Sequence, residues 1–125
     1  MLAALAAAGL LAYAGTASAH EIVTNNGVSV EFHFAPEDEP VAGGPATITI
    51  ESVRVRKGTF SWKTCRCVLS IADSSGKVLY KNTAAKSRTR FVFPAVGAYE
   101  VTFNGRVKRA GHWRTFKVSD PVRAS

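Results

Sequence analysis

From Val28 to Phe34 the side chains alternate without a break. Val28, Val30, Phe32 and Phe34 fall on one face of an extended segment, and Ser29, Glu31 and His33 on the other. A two-residue period marks a half-buried strand, and it recurs along most of the chain. Residues 35–45, APEDEPVAGGP, interrupt it with three prolines and two glycines. Proline removes backbone donors and glycine admits positive φ, so a loop is expected there. Alternation resumes over residues 46–50. Val53 and Val55 are out of phase with Ile48 and Ile50, which predicts a bulge or break near Ser52.

The second half reads the same way. Residues 62–72, WKTCRCVLSIA, put Cys65, Cys67, Leu69 and Ile71 on one face. DSSG at 73–76 is a turn signal, and residues 77–81 should return as the second arm of a hairpin. Further strands are expected at 90–93, 99–103 and 112–118, with a turn at Asn104-Gly105 and a tail that frays after Asp120. No segment carries a helical period, and no internal repeat is present. About seven strands at this spacing predict an all-β domain, a single antiparallel Ig-like β-sandwich with Greek-key connections. The run FPAVGAYEVTF, 93–103, supports that expectation. Its proline and glycine turn a corner into a strand, and Tyr99 is placed to hydrogen-bond back across the corner.

Composition changes the picture at the N-terminus. Residues 1–19 carry no charge and are mostly Ala, Leu and Gly, ending in Ala17-Ser18-Ala19, the small-residue pattern of a signal-peptidase site. The expectation is a signal peptide over 1–19, cleaved to leave His20 first, and one domain over 20–125. The alternative is an uncleaved anchor near the lower length limit for a membrane span. Export to the periplasm or beyond follows from cleavage. Charge is unevenly distributed. Residues 20–52 hold Glu21, Glu31, Glu37, Asp38, Glu39 and Glu51 and no Lys or Arg, whereas all 16 basic residues lie after Ser52, and the net charge is +7. Export and the dispersal of the basic residues argue against nucleic acid. They leave a solvated basic face, or one that meets an acidic protein or an envelope surface.

Three sets of residues could carry chemistry. A free amine beside an imidazole at His20 would chelate a metal through the amine and Nδ1. One further imidazole, from His33 or His112, completes a planar nitrogen field of the kind Cu(II) favours. The loop carboxylates Glu37, Asp38 and Glu39 could add an axial oxygen; without a metal they form a solvated acidic turn. A calcium loop fits less well, because the alternating Asp/Asn spacing is missing. Cys65 and Cys67 are two residues apart, so their thiols share one side of a strand. A disulfide, a thiolate pair for a soft metal and two inert buried thiols are the alternatives, and in an exported protein the disulfide ranks first. A regular strand would hold the two Cα atoms about 6.5–7 Å apart, at the limit of bridging, so a bridge requires a local kink and should reduce readily. No nucleophile elbow, phosphate loop or dinucleotide fingerprint is present. The chain is expected to bind rather than to catalyse, and a domain this small offers little of the flat surface that an oxidative copper enzyme needs.

The N-terminal His, the hundred-residue length, the strand count and the FPAVGAYEV corner together resemble the CopC and YtkA-like periplasmic β-sandwiches. The opening HE, the FAPEDEPVAGGPATITI segment and the close cysteine pair are also similar to small exported proteins of cyanobacteria. In the CopC family the mature N-terminal His joins a second His and an Asp around Cu(II). The resemblance therefore implies copper as cofactor or cargo. His20, His33 and Asp38 would be its ligands, with His112 and Glu37 as substitutes. The Met-rich Cu(I) segment of some members is missing, since the only Met is Met1, and the cysteine pair is not a family feature. The expectation is a monomeric exported copper carrier or homeostasis protein. The rival is a non-catalytic Ig-like interaction module with a basic face and no metal.

Overall fold

A computed structural model describes residues 20–36 and 39–125 of the chain. The expected leader and its cleavage site lie outside the described residues. Nine strands are present among them: β1 His20–Asn25, β2 Val28–Ala35, β3 Pro45–Val55, β4 Gly58–Thr59, β5 Val68–Asp73, β6 Val78–Asn82, β7 Arg88–Val92, β8 Gly97–Arg109 and β9 His112–Ala124. They form two antiparallel sheets. One has the order β1-β2-β3-β7; in the other, β9 pairs one edge of β8, while β5 and the short β4 share its opposite edge and β6 follows β5. Setting aside β1 and β4 leaves three strands facing four. The chain crosses between sheets after β3, β6 and β7, the order of an Ig-like Greek-key sandwich. No helix among the described residues is long and apolar enough to cross a membrane.

The predicted alternation is what closes the core. Val28, Val30 and Phe32 of β2, Ile48 and Ile50 of β3, Leu69 and Ile71 of β5, Val101 and Phe103 of β8, and Phe116 and Val118 of β9 are all buried. The bulge expected near Ser52 is present. Glu31 pairs with Ser52 and Phe32 with Ile50, which leaves Glu51 without a partner on β2. That extra residue resets the phase, so Val53 and Val55 still pack against the core. The tyrosine corner is present too. The Tyr99 hydroxyl donates to the Ala95 carbonyl at 2.6 Å and accepts from the Ala95 amide at 3.1 Å.

Three local expectations are corrected. Asn104-Gly105 is not a turn but the middle of β8, which pairs with β9 from Gly97–Ala124 through to Arg109–His112. The reversal falls instead at Ala110 and Gly111, with φ of +49° and +79°. Glycine at 105 serves packing, since a Cβ there would meet the Cys65 carbonyl oxygen at 2.9 Å and Cys67 Sγ at 3.0 Å. Residues 62–67 are not strand, because a turn that opens at Ser61 delays β5 until Val68; the Thr64 and Cys65 amides both donate to the Ser61 carbonyl. The tail does not fray after Asp120. Val122 and Ala124 fill core positions, and backbone bonds from Ala42 to Ser125 and from Ser125 to Pro40 fasten the end against the proline-rich loop. The segment before Val28 forms a strand of its own, β1. Asn26 and Gly27, at φ of +50° and +77°, make the tight hairpin turn that joins it to β2.

Arg109 ties three turns together. Its Nε donates to the Arg56 carbonyl at 3.0 Å and its Nη1 to the Asn26 carbonyl at 2.8 Å, with the guanidinium lying against Gly27.

Phe103 is fully buried and touches the rings of both Trp62 and Phe116. Phe103→Ala should lower stability by roughly 3–5 kcal/mol. Chemical denaturation of the wild type and variant measures it, and a loss of a few tenths of a kcal/mol would contradict this packing.

Candidate functional site

The first hairpin determines which histidines can meet. β1 and β2 pair with His20 directly across from His33, and the same row continues through Thr49 of β3 to Arg88 of β7. His33 is half-buried on the outer face of this sheet, opposite the buried Phe32 and Phe34. A shallow depression of about 720 Å³ opens beside it, lined by His33, Thr47, Thr49, Glu51, Arg88 and Arg90. Two guanidiniums and the Glu51 carboxylate therefore line the same depression as His33. Glu31, two residues before His33, accepts a hydrogen bond from the Ser52 hydroxyl at 3.2 Å.

His112 does not belong to this row. It opens β9 at the tip of the long hairpin, exposed and paired with Arg109. The far end of β1 meets β9 at Asn25 and Asn26, whose side chains bond to the Lys117 amide and the Thr115 carbonyl. His20 lies about 16 Å back along β1 from that end, at the usual strand rise, and His112 lies beyond it. Glu37 and Asp38 are outside the described residues. Among the described residues no group of three or more His, Cys, Asp or Glu could hold a metal ion.

Cys65 and Cys67 lie at disulfide bonding distance, with Cα atoms 5.0 Å apart. This matches the bridge ranked first from the sequence, and the kink it required is at Arg66, with φ of +50°. Both cysteines are buried. Bridged sulfurs are not thiolates, so in this state the pair offers no soft-metal site.

One ionisable group went unnoticed in the sequence. Asp120 lies at an inward position of β9, in phase with Phe116, Val118 and Val122, and is only 3 % exposed. Burial, reinforced by the nearby Glu21 charge from β1, pushes its carboxyl up to about 7. The phase of the strand was the available signal. The expected strand, 112–118, stops two residues short of it.

The tip of the sandwich is basic and carries an aromatic ring. Trp113 is exposed, with the Arg106 guanidinium 4.0 Å from its centroid and the Lys108 ammonium 5.2 Å away. Arg106 also donates from Nε to the Thr64 carbonyl at 2.9 Å. These contacts hold the guanidinium over the ring, a cation–π arrangement.

Fold and corner together define an Ig-like β-sandwich. No family model matches the chain, and no curated protein or solved structure matches it either.

Asp120 makes stability depend on pH. Its folded-state pKa is raised above the ordinary carboxylate value, so the neutral form favours the fold. That contribution is fully present below about pH 4 and is lost as pH rises through about 7. Asp120→Asn removes the charge while keeping the shape. The variant should be more stable than the wild type at pH 8 and should flatten the decline between pH 4 and 7; thermal melts across that window measure both.

Proposed function

We propose that the protein is an exported copper-binding protein, a carrier or homeostasis factor, that holds Cu(II) through a mature N-terminal histidine. The observation that carries the reading is the register of the first hairpin, in which His20 and His33 are cross-strand partners. Cleavage after Ala19 would leave the His20 amine and ring as a bidentate donor at the start of β1, with a second imidazole one strand away. Amine and imidazole nitrogens are the donor set that Cu(II) prefers among divalent ions. His112, at the other end of the sandwich, drops behind His33 as the second imidazole. Asp38, with Glu37 behind it, remains the proposed oxygen ligand, since the loop that bears both directly follows β2.

A specific observation favours a second reading, an interaction module without metal. Arg88 and Arg90 share the His33 depression, and their charges oppose a dication brought to it. Together with the Arg106, Lys108 and Trp113 tip, they give the surface a character suited to an acidic protein or an anionic envelope surface.

Copper titration of two forms separates the readings: one beginning at His20, the other carrying a single extra residue before it. The extension moves the amine away from the imidazole and leaves the sandwich untouched. The natural form should bind one Cu(II) at least about tenfold more tightly. His33→Ala should weaken binding, and Glu37→Gln should change it little. Equal affinity of the two forms would discard the copper reading and promote the interaction module.

A further inference from the structure

The end of the sandwich where β6 stops and β5 starts carries a cleft that neither histidine lines. Residues 61–67, before β5, and residues 83–87, between β6 and β7, form its walls. Its volume is about 520 Å³, within the range of small-molecule sites. It shares no lining residue with the depression beside His33.

Both walls are fixed by bonds. In the first, the Thr64 and Cys65 amides donate to the Ser61 carbonyl, the Lys63 amide donates to the Ser61 hydroxyl, and Cys65 is linked to Cys67. The second wall is stitched to the first, because the Ala85 amide donates to the Cys67 carbonyl at 3.0 Å. It is stitched to the opposite sheet as well, through Ile50 and the Ser87 carbonyl at 2.8 Å. The cysteine link thus acts as a brace for the wall that bears Trp62, Lys63 and Arg66. A recognition surface built this way needs little further ordering when a ligand arrives.

What the walls present is specific. Trp62 is 38 % exposed, and its ring is held by an edge contact with Phe60 at 5.0 Å and a tilted contact with the buried Phe103 at 5.7 Å. It is an anchored aromatic plate rather than a swinging side chain. Lys63, Arg66 and Lys86 line the same cleft, and none of the described residues lining it is acidic. Thr83 and Ser87 add hydroxyls on the second wall. A flat apolar plate recognises a ring, cations without a counter-carboxylate recognise an anion, and hydroxyls exchange hydrogen bonds with other hydroxyls.

We infer that this cleft binds an acidic sugar. The pyranose ring stacks on Trp62, its carboxylate is met by Arg66 and Lys86 with Lys63 alongside, and its hydroxyls bond to Thr83 and Ser87. An aromatic acid would satisfy the plate and the cations but leave the two hydroxyls to water. A neutral sugar would satisfy the plate and the hydroxyls but leave three cations without a partner. The inference is independent of copper, since none of the proposed metal ligands lines the cleft.

Calorimetric titration of metal-free mature protein with the disaccharide of galacturonic acid, its neutral galactose counterpart and benzoate tests it. The acidic disaccharide should bind saturably below about 10 mM, with the other two at least about tenfold weaker. Lys86→Glu and Arg66→Glu lie on the exposed surface and should retain the wild-type melting temperature while weakening the acidic disaccharide at least about tenfold each. Trp62→Leu should abolish binding. In a Trp113→Phe background, the remaining tryptophan fluorescence should report the same saturation. Lack of saturation by the acidic disaccharide at about 10 mM, equal binding of the neutral sugar or of benzoate, or wild-type affinity in folded Lys86→Glu would each overturn the inference.

Discussion

The long pairing of β8 with β9 is the constraint on which the rest of the molecule hangs. Its ladder holds one register from Gly97–Ala124 to Arg109–His112, so a single phase governs two strands for thirteen residues each. That phase sends Val101, Phe103, Phe116 and Val118 inward together. The opposite edge of β8 is then shared by β5 and β4, and β1 packs across β9. A one-residue slip of β9 would turn its inward side chains to the wrong face. Tyr99 fixes where the ladder starts, through its two bonds to Ala95, and the Ala110-Gly111 turn fixes where it reverses.

The same pairing explains the oddities of its edge. Pro121 is tolerated in β9 because, among the described residues, no further strand pairs with its outer side, so no ladder bond is lost. β1 covers part of β9 and brings Glu21 toward Asp120, two carboxylates that would not meet in a plain seven-stranded sandwich. The price of inserting β1 is a buried acid that resists ionisation. Its return is the cross-strand pairing of His20 with His33 in the register of the other sheet. The proposed metal site and the titrating core acid are thus two consequences of one added strand.

The proposed sites divide the surface by chemistry. His20 and His33 are register partners in one sheet, and Arg88 and Arg90 line the depression beside His33. The cleft at the end between residues 61–67 and 83–87 gathers cations around an aromatic plate. The Arg106–Trp113 stack marks the tip of the long hairpin. An acidic N-terminal third and a basic remainder, distinct along the chain, are brought into contact by the folding of β1–β3 against β7.

Much of this was legible along the chain because alternation is a local property. The inward residues of β2, β3, β5 and β8, the bulge near Ser52 and the tyrosine corner all depend on neighbours within a few residues. The close cysteine pair was legible for the same reason, being separated by one residue. What failed was wherever a distant strand overrode a local signal. Asn104-Gly105 reads as a turn until β9 is available to pair with it and the Cys65–Cys67 turn needs the space a Cβ would fill. Asp120 reads as the start of a tail until Pro40 and Ala42 hold Ser125 in place. The cleft around Trp62 was not legible at all, because its two walls are separated in sequence by the whole β5–β6 hairpin. Local periodicity determined the strands, their faces and the class of fold. Only the closing of one sheet on the other decided which histidines, carboxylates and cations became neighbours, since proximity across a sandwich is a property of register between strands and not of any one of them.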